Sequence, residues 1–406
     1  MIKGKPTFSF KELAPCLFAI LVDVVGFGLV SPLLVTLFTD SSNNYFYINS
    51  VAERYFYLGL VLALYGLLMF FGTSFIGDLS DRIGRKKTLI ISMLGMTLGL
   101  LMMGFGINSA SLLLFLVGRA VSGITSASQS VALATISDLS TSENKAVHLS
   151  YVALIQCIGF ILGPMMGGFL AKWSLTLPFY GAAGFAALSA VWVAWEFEET
   201  CTKKTSAKIH LWRVVEVFIE AYRHKRIRQL AGAFLLMQIA VSIFFPQLLI
   251  YFNENFGYSA FDLGLFNGYL GVGFAIGLLV LLPLLLKYLK IEKIIAFCLL
   301  GAFFMQAFCL LFSLPLAIWI LIFPYAILIE TAYSAMYTAF SNAAKAGAQG
   351  WAMGISVALM ALAWGITGFA SLLIPVLGFP ALFALGAACM GASALLMMRY
   401  LRLHPS

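Results

Sequence analysis

The sequence predicts an all-α membrane protein in which twelve transmembrane helices form two bundles of six, with both termini in the cytoplasm. Three observations lead to this fold class. The 406 residues are 62% hydrophobic and only 10% charged, whereas soluble domains carry about 25% charged residues. Long apolar runs follow one another along the chain, and basic residues collect in every second loop between them. This composition excludes a soluble, a collagen-like and a disordered protein.

Each apolar run has about the 20 residues that a helix needs to cross a hydrocarbon core of about 30 Å. The predicted spans are 14–38, 56–77, 88–107, 111–134, 146–171, 178–197, 229–252, 262–286, 292–312, 315–339, 349–374 and 379–400. A β-barrel would instead show alternating segments of about ten residues. The first run follows a basic segment, as in a signal peptide, but no small-residue cleavage site ends it. It is therefore expected to remain as the first helix.

The basic residues predict the orientation, because Lys and Arg near helix ends stay on the cytoplasmic side. Of 25 basic residues, 22 lie in the termini or in the loops that follow an even-numbered span. Arg54 and Lys172 lie in the opposite loops, and Arg119 lies inside a span. This distribution places both termini in the cytoplasm and supports an even number of spans. It also explains the net charge of +8 without a nucleic-acid partner.

One longer polar loop, residues 199–228, separates an N-terminal bundle, 1–198, from a C-terminal bundle, 229–406. Within this loop, apolar and charged side chains alternate at helical spacing: Leu211, Val214, Val215, Phe218 and Tyr222 against Arg213, Glu216, Glu220 and Arg223. An interfacial helix on the membrane and a solvated linker helix both fit this pattern. Two halves of six spans suggest a transporter built from repeats, with its site between them.

Three ionisable side chains lie inside predicted spans: Asp23, Arg119 and Glu330. Such groups are costly in hydrocarbon unless they have a partner or a water-filled cavity, so each is a candidate functional residue. Asp23 and Arg119 differ in depth by only about 4–5 Å at a rise of 1.5 Å per residue, which predicts a pair near the midplane. A carboxyl group beside a guanidinium can act as a proton-coupled switch. Glu330 is either a second proton carrier or a hydrogen-bonded structural residue.

Polar side chains inside the spans are candidates for substrate binding. Ser122, Ser126 and Gln129 follow Arg119 at spacings of 3, 4 and 3, which place all four on one helix face. This stripe either lines a central cavity or forms hydrogen bonds between helices. The candidate substrate-binding residues are Ser126, Gln129, Gln156, Gln238 and Asn267.

The segment between the second and third spans reads Gly77-Asp78-Leu79-Ser80-Asp81-Arg82-Ile83-Gly84-Arg85-Lys86-Lys87. Its glycines permit a tight turn and close helix approach, Asp81 can cap the start of a helix, and the basic run anchors the turn at the cytoplasmic face. The segment resembles the G-x-L-x-D-R-x-G-R-K loop signature of the major facilitator superfamily. That resemblance implies a fold of two six-helix bundles over the whole chain.

Three further segments are similar to the proton-coupled drug antiporters of that superfamily. They are Asp23–Pro32, which resembles the helix 1 signature of tetracycline/proton antiporters, Arg119–Gly123, which resembles the helix 4 motif R-x-x-x-G, and Gly159–Gly168, which resembles the helix 5 motif G-x-x-x-G-P-x-x-G-G. The glycines of the last segment also fit packing through small residues.

The resemblance implies roles for individual residues. Arg119 corresponds to the proton-relay arginine of the family, and Gly163 and Pro164 to its bend in helix 5. The family's cytoplasmic charge network, which holds the outward-facing state shut on the inner side, corresponds to Asp81 and Arg85 of the loop segment and to Asp138 of helix 4. Gly77, Arg82 and Gly84 of the same loop segment are further candidate gating residues.

The expected function is proton-coupled export of a small amphipathic or cationic organic compound by alternating access, with the proton gradient as the energy source and no cofactor or metal. Tetracycline exporters carry acidic residues near Gly99 and near Phe303, Phe304 and Met305, so tetracycline itself is not the expected substrate. Proton-coupled import of a nutrient or a metal chelate is the alternative. The expected partners are the small-molecule substrate and the lipid bilayer, without nucleic acid. The chain is expected to be a monomer in a bacterial inner membrane.

A membrane enzyme and a receptor that transports nothing are the remaining alternatives. All four histidines lie outside the predicted membrane interior, and neither HExxH nor GxSxG occurs, so the usual catalytic groups are missing. The six cysteines show no ligand spacing and are interpreted as packing residues. Transport by the purified protein in liposomes would distinguish a transporter from a receptor.

Overall fold

The computed structural model describes residues 10–40, 44–126, 128–139, 145–201, 219, 223–311, 314–343 and 349–403, and these residues form helices without any strand. In chain order the helices are α1 (Phe10–Thr39), α2 (Val51–Ile83), α3 (Arg85–Asn108), α4 (Leu112–Thr125), α5 (Ser128–Leu139), α6 (Lys145–Ala171), α7 (Leu177–Glu196), α8 (Lys225–Phe256), α9 (Ala260–Ile276), α10 (Leu282–Leu286), α11 (Ile291–Cys309), α12 (Pro315–Ala343), α13 (Gln349–Thr367) and α14 (Ile374–Leu403). The all-α prediction is confirmed. The amphipathic helix predicted around 211–222 falls almost entirely outside the described residues.

Eleven helical stretches in the described part of the chain are long and apolar enough to cross a membrane. The last of them, Gly354–Leu403, contains 50 residues, and a straight helix of that length would measure about 75 Å, more than twice the hydrocarbon core. Its backbone leaves the helical conformation at Gly378, where φ is 73° and ψ is 168°. The count of twelve spans stays a prediction, which the length of this last stretch favours.

Apolar side chains cover the outside of the helix bundle. On α3, Leu94, Leu98 and Phe105 are each more than half exposed, whereas the polar Thr88 and Ser92 are fully buried. In water an apolar surface of this extent would associate or aggregate, but acyl chains solvate it in a bilayer. The distribution of side chains is that of an integral membrane protein.

Local signals in the sequence set the helix ends. The backbone N–H of Glu53 donates to Ser50 Oγ at 3.1 Å and the Ser50 N–H donates to the Glu53 carboxylate at 3.4 Å, a capping box that starts α2. Ser259 and Asp262 form the same box at the start of α9. Gly84, at φ 109°, turns the chain between α2 and α3 in a conformation that strains other residues. We call the two ends of the bundle the Gly84 end and the Gly257 end.

The two halves of the chain meet along two seams, α6 against α9 and α2 against α13. Glycines allow both approaches, because a Cβ at Gly264 would lie 2.5 Å from the Pro164 carbonyl oxygen and one at Gly66 would lie 2.4 Å from the Gly365 nitrogen. Small residues permit such close contact between helices where no hydrophobic force drives them together. The boundaries of the two bundles stay predictions.

The fourth predicted span, 111–134, corresponds to one apolar stretch long enough to cross a membrane, Leu112–Ile136, but its helix is interrupted. Helix α4 ends at Thr125, and α5 begins at Ser128. The Thr125 hydroxyl donates to the Val121 carbonyl at 2.8 Å and the Ser126 hydroxyl donates to the Gly123 carbonyl at 2.9 Å. Hydroxyl groups that bond to the backbone in this way compete with helix continuation. The break brings Ser128 to a position opposite α1.

Candidate functional site

Asp23 lies in the middle of α1 and is buried among the helices of the N-terminal half. Its carboxylate accepts a hydrogen bond from the hydroxyl of Ser128, the first residue of α5. Ser128 is itself fully buried. Ser128, the first residue after the break between α4 and α5, therefore provides the hydrogen-bond donor that the buried Asp23 carboxylate needs.

Arg119 lies in α4 and is 4% exposed. Its Nε donates to the Val61 carbonyl oxygen of α2 at 3.3 Å, and its guanidinium carbon lies 4.1 Å from the centre of the Tyr65 ring. This distance is that of a cation–π contact, which stabilises a desolvated guanidinium.

The predicted direct pair of Asp23 and Arg119 is wrong. No ion pair joins them, although both belong to the described part of the chain. The Tyr65 hydroxyl interacts electrostatically with both groups. The two residues line the same site, as their similar depth along the helices predicted. The guanidinium of Arg119, however, stacks on the Tyr65 ring, and the carboxylate of Asp23 accepts its hydrogen bond from the Ser128 hydroxyl.

Asp23 and Arg119 line one small interior cavity of about 10 Å³, which is about the space that one water molecule needs. Its other lining residues are Gly26, Phe27, Val30, Tyr65, Met96, Leu100, Met103, Ser122 and Ser126. The Phe27 ring contacts both Tyr65, at 5.6 Å between centroids, and Trp364 of α13, at 5.9 Å. The cavity thus belongs to the N-terminal half, and an aromatic contact joins its wall to the C-terminal half.

The predicted polar stripe reaches this cavity only in part. Arg119, Ser122 and Ser126 line it, whereas Gln129 lies on α5 and is not among the lining residues. The Ser122 hydroxyl is buried without a hydrogen-bond partner in the described residues. The helix break rotates the stripe away from one common face after Ser126.

Glu330 lies in α12 and is not part of the Asp23 cavity. Its carboxylate accepts a hydrogen bond from the Ser334 hydroxyl at 3.1 Å. It also acts electrostatically on the Cys157 thiol of α6, in the other half, and on the hydroxyls of Tyr333 and Tyr337. Glu330 is only partly buried, unlike Asp23. The structure therefore contains two separate carboxyl sites.

The other candidate substrate-binding residues divide into two groups. Gln238 and Asn267 are 4% exposed, whereas Gln129 and Gln156 are partly exposed. Both amide atoms of Asn267 are buried without a partner among the described residues.

Sequence reasoning missed three interior residues. Tyr65 interacts with both groups of the cavity, and Gln247 and Gln306 are fully buried amides whose side-chain atoms have no partner in the described residues. The signal for the two amides was available, because each interrupts an otherwise apolar span. Tyr65 carried no signal, since a tyrosine in an apolar run is usually a packing residue.

The loop signature forms a charge cluster at the Gly84 end. Arg85 Nη1 lies 2.7 Å from an Asp81 oxygen, and Arg85 Nε lies 3.1 Å from an Asp138 oxygen. Arg85 also donates to the Ser80 hydroxyl, and its backbone N–H donates to Glu199 at 2.8 Å. The structure thus brings together Asp81, Arg85 and Asp138, as the sequence predicted.

Two predictions about this segment are wrong. Asp81 does not cap a helix start, because it lies in the last turn of α2 and pairs with Arg85. Gly77 lies inside α2, and a Cβ there would have no atom within 4 Å, so this glycine mediates no close helix approach. Arg82 is exposed in the last turn of α2.

Helix α6 packs against α1 through its glycines. A Cβ at Gly163 would lie 2.8 Å from the Val25 carbonyl oxygen, and one at Gly28 would lie 2.8 Å from Pro164 Cδ. Pro164 therefore sits in a notch of α1, and its own carbonyl faces Gly264 of α9. The interpretation of these glycines as packing residues is confirmed, and α6 is held between its own half and the other.

At the Gly257 end, polar side chains join the two halves. The Tyr55 hydroxyl donates to the Glu254 carboxylate, and the Thr39 hydroxyl donates to the Asn253 side-chain oxygen. The Lys172 ammonium group lies 3.4 Å from the centre of the Phe261 ring. Each pair has one member in each half, so these contacts hold the halves together at this end.

The chain matches the family described as the Major Facilitator Superfamily over residues 16–368. It is 30% identical to the class C tetracycline resistance protein of Escherichia coli over 265 residues, 65% of this chain and 64% of that protein. It is 34% identical to the class H tetracycline resistance protein of Pasteurella multocida over 173 residues, 43% and 41% of the two chains. It is 30% identical to Multidrug resistance protein 2 of Bacillus subtilis over 135 residues, 33% of each. The matched segments span less than two thirds of these relatives.

Solved structures share the fold. The human organic anion transporter MFSD10 superposes with a TM-score of 0.75 at 17% identity, over 95% of this chain and 99% of that one. A D-xylose-proton symporter superposes with a TM-score of 0.73 at 14% identity, over 96% and 97%. At such low identity the likeness concerns the architecture alone.

Proposed function

Since the chain belongs to the major facilitator superfamily, and is therefore an integral membrane transporter rather than an enzyme, we propose that it exports a small amphipathic or cationic organic compound in exchange for protons. The coupling ion is the proton, and no cofactor takes part. The protein works by alternating access, in which two helix bundles rock about a site between them.

The observation that carries the proposal is the small cavity that holds Asp23 and Arg119. Burying a carboxyl group inside a membrane-spanning helix costs free energy, so such a residue is a candidate functional residue. The Ser128 hydroxyl and a cavity with room for one water molecule allow Asp23 to exchange a proton. Tyr65 interacts with both Asp23 and Arg119, so a change in the charge of Asp23 also affects Arg119.

Contacts at the Gly257 end of the bundle support alternating access. We place twelve spans in the chain and the Gly84 end in the cytoplasm, as the distribution of basic residues predicts. The described contacts between Tyr55 and Glu254 and between Thr39 and Asn253 then close the outer side. The two bundles comprise residues 1–198 and 229–406, joined by the linker 199–228, and the protein is a monomer in a bacterial inner membrane.

The direction and the substrate class rest on two observations. Relatives in sequence are tetracycline and multidrug resistance proteins, and the segment around Gly163 and Pro164 resembles that of antiporters. Tetracycline itself is not proposed, because a Cβ at Gly99 would lie 2.2 Å from Ser122 Oγ and 2.6 Å from the Gly118 carbonyl oxygen. That position has no room for the acidic side chain of tetracycline exporters.

The test uses everted membrane vesicles, whose outer face is the cytoplasmic face. An imposed pH gradient, acid inside, should drive accumulation of ethidium or tetraphenylphosphonium in vesicles that contain the protein, and Asp23→Asn should abolish it. A proton-coupled importer would instead release preloaded probe under the same gradient. If the probes are neither accumulated nor released, the proposed transport is refuted.

A further inference from the structure

We propose that a cavity at the Gly257 end of the bundle binds the ammonium group of a zwitterionic phospholipid headgroup. The cavity has a volume of about 330 Å³ and shares no lining residue with the Asp23 cavity. Its lining residues all belong to the C-terminal half: Phe256, Gly257, Tyr258, Asp262, Leu265 and Trp319. A lipid site of this kind goes beyond the proposed export, since it is independent of the direction of transport and of the substrate.

The cavity lies at the depth of the phospholipid headgroups. The helical stretch Ala260–Leu286 contains 27 residues and measures about 40 Å at 1.5 Å per residue, which matches the thickness of a bilayer including its headgroup regions. Asp262 lies in the first turn of this stretch, and Trp319 is the fifth residue of α12. Tryptophan and tyrosine side chains are enriched at this depth in membrane proteins. In the proposed orientation, the headgroup belongs to the outer leaflet.

Asp262 contributes a carboxylate with one oxygen available to a ligand. Its Oδ2 accepts hydrogen bonds from the Ser259 backbone N–H at 2.9 Å and from the Ser259 hydroxyl at 2.6 Å. Its Oδ1 has no hydrogen-bond partner in the described part of the chain, and the two ion pairs found there do not include Asp262. An ammonium group can therefore donate a charge-assisted hydrogen bond to Oδ1 without displacing the helix cap.

Three aromatic side chains line the cavity together with this carboxylate. The rings of Phe256 and Tyr258 lie 6.5 Å apart, and the Trp319 Nε1 donates to the Tyr258 hydroxyl at 3.2 Å. The Asn253 side-chain nitrogen donates to the Tyr258 carbonyl oxygen at 2.7 Å. These bonds fix the position of Tyr258 and Trp319 before a ligand binds, which lowers the cost of ordering them. Aromatic rings attract organic ammonium groups, tryptophan most strongly.

The surroundings of the cavity favour a phospholipid over other ligands. No basic residue lines it, so the headgroup of an anionic lipid would meet the Asp262 carboxylate without a compensating positive charge. The apolar Leu265, one turn below Asp262, is 38% exposed, and Ile320, next to Trp319, is 62% exposed. These side chains offer contact to the acyl chains of a lipid, whereas a small soluble ammonium compound has no acyl chain to place there.

Native mass spectrometry of the purified full-length protein tests the inference. In micelles that contain equal amounts of phosphatidylethanolamine and phosphatidylglycerol with the same acyl chains, the wild type should retain the ethanolamine lipid preferentially. Asp262→Asn keeps the volume of the side chain and an oxygen for the helix cap but removes the charge. It should lower the preference about fivefold, as expected for the loss of a partly exposed ionic contact.

Glu53→Gln is the matched control. Glu53 forms the same kind of capping box at the start of α2, at the same end of the bundle as Tyr55 and its partner Glu254. Glu53 does not line the cavity. The variant therefore makes the same change of charge at the same end, and it should keep the preference of the wild type.

A second measurement uses the wild type alone and does not depend on the folding of a variant. N-acetyl phosphatidylethanolamine, which lacks the ammonium charge, should be retained no better than phosphatidylglycerol. Equal retention of the ethanolamine lipid and its N-acetyl derivative, an unchanged preference in Asp262→Asn, or an equal loss in Glu53→Gln would each overturn the inference. Displacement of the lipid by free choline would indicate a site for soluble ammonium compounds and would overturn it as well.

Discussion

Replacement of Gly66 by alanine should destabilise the conformation in which α2 and α13 are in contact. The new Cβ would lie 2.4 Å from the Gly365 nitrogen, 2.7 Å from its Cα and 2.8 Å from the Trp364 carbonyl carbon. All three are backbone atoms, so no side-chain rotation relieves the overlap. The two helices belong to different halves, and the seam must open by about 1 Å to restore ordinary packing distances.

The expected size of the effect follows from the cost of overpacking. Extra atoms in a packed interior cost about 1–3 kcal/mol, which shifts a two-state equilibrium by about 5- to 150-fold. Alanine also favours a helix over glycine by about 1 kcal/mol. Gly77→Ala is the control for that gain, because it makes the same change in the same helix where a Cβ meets no atom within 4 Å.

Spin labels on both sides of the seam measure the response. In a background in which the six native cysteines are replaced, labels at Phe56→Cys of α2 and Val376→Cys of α14, both exposed, report the distance between the halves by pulsed electron resonance. Gly66→Ala should increase the population with the longer distance, and Gly77→Ala should not. Identical distance distributions in the two variants would show that this seam does not limit the separation of the halves.

Three further predictions concern single contacts. Arg119→Lys keeps the charge but loses both the planar stacking on the Tyr65 ring and the hydrogen bond to the Val61 carbonyl oxygen. The pH-driven uptake of the probe into vesicles should therefore fall about tenfold or more. Uptake near the wild-type level would contradict the role of the stacked guanidinium. Tyr55→Phe removes the hydroxyl that bonds to Glu254 and should raise maleimide labelling of a cysteine near the Gly257 end several-fold, as expected for a loss of about 1 kcal/mol; an unchanged rate would contradict a closing role. Arg85→Gln leaves its two carboxylate partners without a positive charge and should lower the melting temperature by several degrees at low salt, with less effect at high salt; equal loss at both would indicate packing instead.

The sequence by itself determined the architecture of this protein. Hydrocarbon offers no hydrogen-bond partner to the backbone, so each apolar run must satisfy its own N–H and C=O groups within a helix, and the runs could be counted along the chain. The contact between Asp81 and Arg85 is also local, since the two residues are four apart in the chain, at the end of α2 and the start of α3 on either side of the turn at Gly84. Both inferences depend on contacts that are local in the chain.

Only the tertiary structure decided which groups face one another. Depth along the spans predicted that Asp23 and Arg119 share a site, but their partners proved to be Ser128 and Tyr65, which come from a helix break and from a neighbouring helix. Likewise, Glu330 interacts electrostatically with Cys157 of the other half. A helix turns by about 100° per residue, so a small change in rotation or a break redirects a side chain to a different helix. Those rotations are set by packing between distant segments, and no local pattern specifies them.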